Sequence, residues 1–401
     1  MLSYITGSGG VQCYVAAKAK FLEEHGWHVV VISDNIPNSK ERCLISSLNK
    51  FLQNGNPYQG YHPCDIPHFM VRLAIKRYME VIGPISDEDE AIVESWNSPT
   101  ALWGELIAKQ IHAKHMFLTA NEYYRNPNQC YEKKIDFFMF KMDRGELFTD
   151  QNSANRLFVN YRTYKKGDFI EAFLSEDPVQ DIDNSSVNKI TDADWNICYI
   201  GRANKSYVPN IYNGVKEFAL QHQDKSIQFI IVGEATERKQ LLNSIKLPNL
   251  IVIELGDLYP LPKDLFKKVD VVIAGSGSAR HSADEGALVI LADPETNSSH
   301  GILGYDTNES IYADKENYLN FTFSQALERA LVDMTWKSQP YRWKKSLGTE
   351  ECTNIQFQII NHSSSDLNYY DEKTILCGDI KIVVVLRIIY RLVKGALNNL
   401  I

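Results

Sequence analysis

The chain has 401 residues, more than one hydrophobic core usually supports, so we expect two domains. Hydrophobic residues make up 44% of it and aromatic residues 11%, which is typical of a folded globular protein and excludes a disordered one. A formal net charge of -8 argues against a broad nucleic-acid-binding surface, and we expect no nucleic-acid partner.

Cysteine usage and hydropathy indicate the cellular compartment. The seven cysteines are odd in number and never spaced as C-x-x-C, which favours a reducing cytosol over a disulfide framework or a zinc site. No basic and apolar leader with a cleavage site follows Met1, and no run of about eighteen uncharged apolar residues occurs. We therefore predict a cytoplasmic protein with neither a signal peptide nor a membrane-spanning helix.

The N-terminal part alternates apolar runs with helical patterns, beginning with a βαβ unit. A strand over residues 2–6 leads into a loop with Gly9 and Gly10, where backbone N–H groups can approach a phosphate. Asp34 follows the second strand, so the loop also resembles part of a dinucleotide-binding fingerprint. Gln12 stands where that fingerprint needs its third glycine, and a dinucleotide-dependent oxidoreductase is kept as an alternative.

Two more helices are predicted before residue 90, a short one over residues 44–52 and a longer one over residues 65–81. The longer helix carries apolar Phe69, Leu73 and Met79 and basic Arg72, Lys76 and Arg77. An interleaved basic stripe is typical of a solvated helix face. A strand over residues 115–119 then ends just before Asn121, at the edge where parallel sheets bind substrates.

A shift in composition marks the domain boundary. Residues 176–194 are acidic, polar and poor in bulky apolar side chains, as interdomain linkers are. The alternation of strands and helices restarts afterwards, and its predicted elements include a strand over residues 227–232 and a helix over residues 321–335. We therefore predict an α/β protein with two Rossmann-like, doubly wound domains facing across a ligand cleft. The predicted segments are an N-terminal domain over 1–178, a linker over 179–194, a C-terminal domain over 195–345, a crossover segment over 346–378 and a terminal helix over 379–401.

Residues 268–293 organise the C-terminal domain. They comprise a strand over 271–274, the turn Gly275, Ser276, Gly277 and Ser278, a helix carrying Glu285, and a strand over 288–292. Small residues at the carboxyl end of a strand, with a helix N-terminus behind them, are suited to a diphosphate. Ser282-x-x-Glu285 also matches a capping box, in which Glu285 would only bond to the backbone at a helix start.

Five short segments between residues 4 and 293 together resemble a known family. They are Gly9-Gly10-Val11-Gln12, Asn97-Ser98-Pro99-Thr100-Ala101-Leu102, Gly201-Arg202, Ile231-Val232-Gly233 and Glu285-Gly286. In this set and order the chain resembles glycosyltransferases of the two-domain GT-B architecture, in particular the retaining family 4 (group 1) enzymes of bacterial polysaccharide assembly. The resemblance implies a nucleotide-diphosphate sugar as donor substrate and no further cofactor.

The resemblance also implies roles for individual residues. Arg202 matches the cation that holds the departing diphosphate, and Lys205 stands near the position of an assisting lysine. Glu285 matches the second acid of the family's paired-glutamate motif, which holds the ribose of the nucleotide. With Glu285, the residues that we assign to substrate binding are Gly9, Gly10, Gly233, Ser276, Gly277 and Ser278.

Two positions depart from the family pattern. Gly277 stands where the first acid of the motif would be, so the carboxylate that meets the donor sugar is missing. Asn121, our third catalytic candidate, stands where the family commonly has a histidine, and its amide can bind a sugar hydroxyl but carries no charge. Arg280 and His281 could face phosphate instead. Altered donor choice, low activity and catalysis by other residues all stay open.

The last stretch, residues 380–401, predicts an amphipathic helix. Its apolar positions include Val383, Val384, Val385, Leu386, Ile388, Ile389, Leu392 and Val393, and its basic positions are Arg387, Arg391 and Lys394. Such a helix is suited to lying in a membrane interface, and packing on the protein's own core or on a partner is the alternative. A lipid-linked acceptor would explain a membrane-bound helix.

The sequence therefore predicts a cytoplasmic glycosyltransferase on the inner face of the cell membrane. It would move a hexose from a nucleotide sugar to a glycan or lipid-linked acceptor in polysaccharide biosynthesis. We expect no metal, because the Asp-x-Asp pairs at residues 181–183 and 192–194 lie in the polar linker. The second hypothesis is a glycosyltransferase-like scaffold that binds nucleotide without turnover, which Gly277 and Asn121 suggest.

Overall fold

The computed structural model describes residues 10–33, 50–53, 61–86, 88–96, 98–119, 135–149, 179–180, 184–233, 245–308, 319–363 and 367–398. These residues fall into two compact units. The first unit holds those before residue 175 and those from residue 349 onward, and the second holds those between.

The first unit contains a three-stranded parallel sheet with helices packed on it. Its elements are α1 (Gly10–Glu24), β1 (Val31–Ile32), β2 (Leu52–Gln53), α2 (His68–Ile82), β3 (Ile92–Trp96), α3 (Ser98–Gln110), β4 (Lys114–Thr119), α4 (Ile135–Asp143) and β5 (Leu147–Thr149). The sheet order is β3-β4-β5, and β1 and β2 form a separate parallel pair. Trp103, Phe117 and Phe138 are fully buried in the core.

Three predictions for this unit have different outcomes. Leu52, predicted at the end of a helix over residues 44–52, pairs instead with Val31 in β2. The helix predicted over residues 65–81 is α2, and its side chains Phe69 and Leu73 are exposed. The buried residues of α2 are Met70, Val71, Ala74 and Tyr78. The strand predicted over residues 2–6 lies outside the described residues.

The second unit contains a six-stranded sheet in the order β13-β12-β11-β7-β8-β9. Its elements are β6 (Val179–Gln180), β7 (Trp195–Ile200), α5 (Val208–Gln221), β8 (Ile227–Val232), β9 (Leu250–Gly256), β10 (Leu261–Pro262), α6 (Lys263–Lys267), β11 (Val271–Ala274), α7 (Ser276–Asp284), β12 (Val289–Asp293), β13 (Ser298–Ile302) and α8 (Phe323–Glu328). All neighbouring pairs in the sheet are parallel except β12 and β13. The central strands are mostly apolar, apart from Asn196 in β7 and Gln228 in β8, as expected for a sheet that is covered on both faces.

Two segments of the second unit differ from their predicted form. Within the predicted linker, residues Ser185–Lys189 form a 3-10 helix, and Val187 and Ile190 are buried in the core of this unit. The helix predicted over residues 321–335 is α8, continued by a π-helical turn over Arg329–Asp333 and a 3-10 turn. Burial of Val187 and Ile190 therefore helps to fold part of the predicted polar linker onto the sheet.

The chain returns to the first unit in α9 (Thr349–Ser363), α10 (Glu372–Leu376) and α11 (Ile382–Asn398). A buried polar network fastens α9, because Lys18 Nζ donates to Glu94 Oε2 at 2.6 Å and also to Gln356 of α9. Ile388 of α11 is fully buried in the core. Within the described ranges, we find no helix with the length and apolar character that crossing a membrane requires.

Candidate functional site

The strand order of the second unit places a switch point between β7 and β11. From β7 the chain moves to β8 and β9 on one side, and from β11 it moves to β12 on the other. Because such crossovers are right-handed, α5 after β7 and α7 after β11 leave the sheet on opposite faces. The carboxyl ends of β7 and β11 therefore border the crevice in which sheets of this kind bind ligands.

Two basic residues follow β7. The Arg202 side chain is exposed, and no carboxylate in the described part of the chain forms an ion pair with it. Its carbonyl oxygen accepts a hydrogen bond from Tyr199 Oη at 3.0 Å, which fixes the loop to the strand. Lys205 is only 8% exposed, and burial lowers the pKa of its ammonium group to about 8.

Gly233 joins the loops after β7 and β8. Its φ of 125° favours glycine, and a Cβ atom there would overlap the carbonyl oxygen of Gly201. Its N–H donates to the carbonyl oxygen of Gly256 at 2.9 Å, so the loop after β9 is held as well. The backbone of Gly233 therefore determines how the loops pack at this sheet edge, and the residue has no side chain that could contact a ligand.

The turn after β11 opens α7 without a side-chain cap. Gly275 is the N-cap residue, and a Cβ atom there would lie 2.9 Å from the Ala292 carbonyl oxygen and 3.2 Å from Tyr207 Oη. Because no side chain caps α7, the N–H groups of its first turn can bind an anion. Ser276 has a φ of 55°, and a Cβ atom on Gly277 would meet no atom within 4 Å.

Hydrogen bonds tie the loop after β7 and the first turn of α5 to the loop after β12. Ser206 Oγ donates to the Pro294 carbonyl oxygen at 3.1 Å, and Asn210 Nδ2 donates to the Asn297 carbonyl oxygen at 2.7 Å. Asp293 ends β12 and accepts the N–H of Glu295 at 2.7 Å. These residues were not predicted from the sequence, although an acidic residue and a proline directly after an apolar strand are typical of a structured turn.

Asp293 also pairs with a buried histidine. Its Oδ2 lies 2.6 Å from His300 Nε2, and His300 Nδ1 lies 2.9 Å from the Leu319 carbonyl oxygen. Burial alone would lower the pKa of His300, but these two partners raise it. The pair fastens the antiparallel edge strand β13 next to the loop after β12.

Glu285 lies away from this edge. Residues Ser276–Asp284 form α7, so Glu285 follows the last turn of the helix, about 13 Å along the axis from its start. Its side chain is exposed. The capping box is not formed either, because Ser282 lies inside α7 and its Oγ donates to the Ser278 carbonyl oxygen at 2.8 Å.

The remaining predicted site residues are not among the described residues of this edge. Gly10 is the first residue of α1 in the other unit, whereas Gly9 and Asn121 lie outside the described residues. The structure thus brings together Arg202, Lys205, Gly233, Ser276, Gly277 and Ser278 on one sheet edge.

His281 was expected as a phosphate-binding residue beside Arg280. Burial, and then the charge of Arg280, lower the pKa of His281 to about 3. The ring is therefore neutral at pH 7, and the positive charges at this edge are those of Arg202, Lys205 and Arg280. Among the residues that the structure describes, no group of His, Cys, Asp and Glu could hold a metal ion.

Comparisons with known proteins find similarity in structure alone. No family model and no curated protein sequence matches the chain. A co-structure of S. aureus MnaA with UDP has a TM-score of 0.54 at 13% identity, covering 95% of this chain and 99% of that one. A glycosyltransferase from Rickettsia africae has a TM-score of 0.52 at 15% identity, covering 94% of each chain.

A third structure, the UDP-GlcNAc 2-epimerase of Neisseria meningitidis bound to UDP-GlcNAc, has a TM-score of 0.50 at 13% identity and covers 90% of this chain and 99% of that one. The predicted fold class is confirmed, because the chain shares the α/β GT-B fold with these proteins. The same fold serves transferases and epimerases, so it does not by itself define the reaction.

Proposed function

Starting from the GT-B fold, we propose that the chain is a nucleotide-sugar-dependent glycosyltransferase whose donor diphosphate binds at the carboxyl ends of β7 and β11. The observation that carries the proposal is the set of groups bordering the switch point. Arg202 and Lys205 stand on the β7 side, and the uncapped first turn of α7 stands on the β11 side. UDP or a UDP-sugar is the ligand in two of the similar structures, which supports the same ligand class here.

The proposed reaction needs charge stabilisation more than covalent chemistry. The bond between the anomeric carbon and the diphosphate oxygen breaks, and its electron pair leaves with the nucleoside diphosphate. Arg202, Lys205 and the N–H groups of α7 stabilise that negative charge as it develops. The acceptor hydroxyl forms the new bond to the anomeric carbon and gives up its proton to the departing diphosphate or to solvent water. We propose a hexose as the transferred group.

The acceptor is proposed to be a glycan or a lipid-linked sugar of polysaccharide biosynthesis, reached by a protein that is peripheral on the inner face of the cell membrane. Support comes from α11, which was predicted as a basic amphipathic helix. Ile388 packs into the core, while Ile382 and Leu386 leave 72% and 60% of their surface exposed. The helix therefore packs on its own core with one face and presents an apolar face to the outside.

A nucleotide-sugar epimerase is a second candidate, because the Neisseria epimerase structure, with a TM-score of 0.50, is nearly as similar to this chain as the Rickettsia transferase structure, with a TM-score of 0.52. Gly277 also lacks the carboxylate that the resemblance implies for sugar transfer. An epimerase returns an isomeric nucleotide sugar, whereas a transferase releases free nucleoside diphosphate. A scaffold protein would bind nucleotide and form neither product, and an oxidoreductase would require a dinucleotide.

The test is a panel of nucleotide sugars incubated with the protein and with lipid-linked or soluble glycan acceptors. We expect release of nucleoside diphosphate that requires both donor and acceptor. Arg202→Ala should lower the rate about a hundredfold, because one charge-assisted contact to the leaving group is lost. Formation of an isomeric nucleotide sugar without acceptor would favour the epimerase, and binding without any product would favour the scaffold.

Two control variants sharpen this test. Lys246→Ala removes an exposed cation of the same unit that lies away from the site, and it should leave the rate unchanged. Arg202→Lys keeps the charge but not the paired donors of a guanidinium, so it should recover only part of the rate. An Arg202→Ala rate equal to that of Lys246→Ala would contradict the assigned role.

A further inference from the structure

We propose that α2 and α11 together form a docking surface for an anionic phospholipid bilayer. This inference rests on the membrane-bound part of the proposed function and adds a second helix and a lipid class to it. It starts from two apolar faces of the first unit that the protein's own core leaves uncovered.

The first face lies on α11. The exposed apolar side chains are Ile382, Val383, Leu386, Ile389, Tyr390 and Val393. Their spacing places them on one side of a helix, and Val384, Val385 and Ile388 on another side pack against the core. Arg387 is exposed between these two sides. A contiguous row of large exposed apolar side chains is uncommon on a monomer and marks an interaction surface.

The second face lies on α2. Phe69 and Leu73, one helical turn apart, are 64% and 55% exposed. Arg72, Lys76 and Arg77 flank them and are exposed, and none of the three forms an ion pair with a residue in the described part of the chain. Glu80 is the one exposed acid on the same side of the described helix. The sequence pattern had indicated only a solvated basic face.

The residues just before α11 contact the residues just before α2. Lys381, directly before α11, donates its N–H to the Asp65 carbonyl oxygen at 3.0 Å, and its ammonium group pairs with an Asp65 carboxylate oxygen at 3.0 Å. A Cβ atom on Gly378 would lie 2.8 Å from Cys64 Cβ. Asp65 precedes α2 by three residues, so Phe69 and Ile382 lie within about two helical turns of one anchor.

The charge of this surface indicates which partner binds to it. The whole chain carries a formal net charge of -8. The charged groups beside these apolar side chains are nevertheless mainly basic, and Arg72, Lys76 and Arg77 form no ion pair with a described residue. Interfacial helices with apolar side chains flanked by Lys and Arg bind anionic headgroups. A second copy of the chain would bring the same positive charges against each other, which disfavours self-association through this surface. An anionic bilayer satisfies both the apolar and the basic side chains.

The test is sedimentation of the full chain with vesicles of phosphatidylcholine and phosphatidylglycerol, mixed at roughly two to one, and with vesicles of phosphatidylcholine alone. The variants are Arg72→Gln with Lys76→Gln and Arg77→Gln, and separately Phe69→Ser with Leu73→Ser. Each basic side chain near an anionic surface contributes about fivefold in binding, so the triple variant should bind about a hundredfold more weakly. The wild type should bind the neutral vesicles poorly and lose binding as salt increases.

Matched controls use exposed side chains of the other unit. Lys189→Gln with Lys246→Gln and Lys263→Gln makes the same change in net charge, and Leu220→Ser with Ile251→Ser removes similar apolar surface. Both controls should bind anionic vesicles as the wild type does. Because every substituted side chain is exposed, the melting temperatures of all variants should match that of the wild type.

A variant in α11, Ile382→Ser with Leu386→Ser, separates this inference from the proposed function. Lost binding in the α11 variant with wild-type binding in both α2 variants would overturn the role of α2 and keep the membrane helix. Unchanged binding in all variants would overturn both. Dimerisation that the α2 variants abolish, without vesicle binding by the wild type, would assign the surface to a second copy and overturn the inference.

Discussion

Lys205 is the site residue whose charge is expected to change near physiological pH. Burial lowers its pKa to about 8, so the ammonium group is charged at pH 7 and mostly neutral at pH 9. If it binds the diphosphate, UDP affinity should fall as pH rises through about 8, by up to about tenfold. Isothermal titration of UDP at pH 7, 8 and 9 measures this change.

Lys205→Arg is the control for this pH dependence, because a guanidinium stays charged from pH 7 to pH 9. Any effect from the titration of UDP itself is the same for both proteins. The affinity of the arginine variant should depend less on pH than that of the wild type. Identical pH profiles for the two proteins would remove Lys205 from the diphosphate site.

Gly233 and Gly277 make a matched pair at the same sheet edge. Gly233→Ala places a Cβ atom against the Gly201 carbonyl oxygen at a φ of 125°, so it should lower the free energy of unfolding by about 2 kcal/mol or more. Gly277→Ala meets open space and should leave the free energy of unfolding nearly unchanged. Urea denaturation of both variants measures the difference, and equal stabilities would contradict the described packing.

The position of a site residue in the fold could be predicted where the residue directly follows a predicted strand. Arg202 and Ser276 follow apolar strands, and the carboxyl ends of parallel strands share one edge. Glu285 depends instead on where α7 begins. Because α7 starts directly at Ser276, nine residues of helix carry the chain past the site before Glu285. The motif spacing alone could not reveal that distance.

Elements of the first unit are joined by a buried charge network around Glu105 of α3. Its carboxylate pairs with Lys141 of α4, lies 2.6 Å from His115 Nδ1 of β4, and accepts the N–H of Tyr370 at 2.7 Å. Lys141 also pairs with Glu146 at 2.7 Å. Burial alone would raise the pKa of Glu105, and Lys141 and His115 lower it to about 2.

Glu105→Gln should lower the free energy of unfolding by about 3 kcal/mol at pH 7, because Lys141 loses one of its two buried partners. The folded-state pKa lies below the usual value, so the stabilisation is present above about pH 4.5 and is lost as pH falls toward about 2. Urea denaturation of wild type and variant at pH 7 and pH 3 should therefore show a smaller difference at pH 3.

The matched control is Glu372→Gln, which breaks the exposed pair of Glu372 with Lys109. Exposed pairs contribute little, so this variant should stay within about 0.5 kcal/mol of the wild type at both pH values. A Glu105→Gln protein as stable as the control would contradict a stabilising network.

Helices and strands could be predicted where the local sequence pattern alone determines them. The inner strands of the second unit are mostly apolar, and β8 was predicted with its observed bounds. The 3-10 helix at Ser185–Lys189 was not predicted, because Val187 and Ile190 become informative only once the sheet that buries them is present. The edge strand β13 is held by Asp293 and His300, a pairing that no periodicity shows.

For the whole molecule, scattered short segments predicted the GT-B fold that the structure comparisons then established. The order of these segments along the chain indicates the fold even at 13–15% sequence identity, because strand order and the handedness of connections restrict the possible topologies. The exposed apolar side chains of α2 were harder to predict. Which apolar side chains a helix buries depends on its partners, and the sequence pattern of α2 indicated only a solvated basic face.

Isothermal titration of UDP into wild type, Arg202→Ala and Lys246→Ala determines whether a nucleoside diphosphate binds at the carboxyl ends of β7 and β11. We expect saturable binding to the wild type and to Lys246→Ala, and binding to Arg202→Ala that is weaker by about tenfold or more, the loss expected for one charged hydrogen bond. Equal affinity in all three proteins, or no binding to the wild type, would contradict binding at this edge.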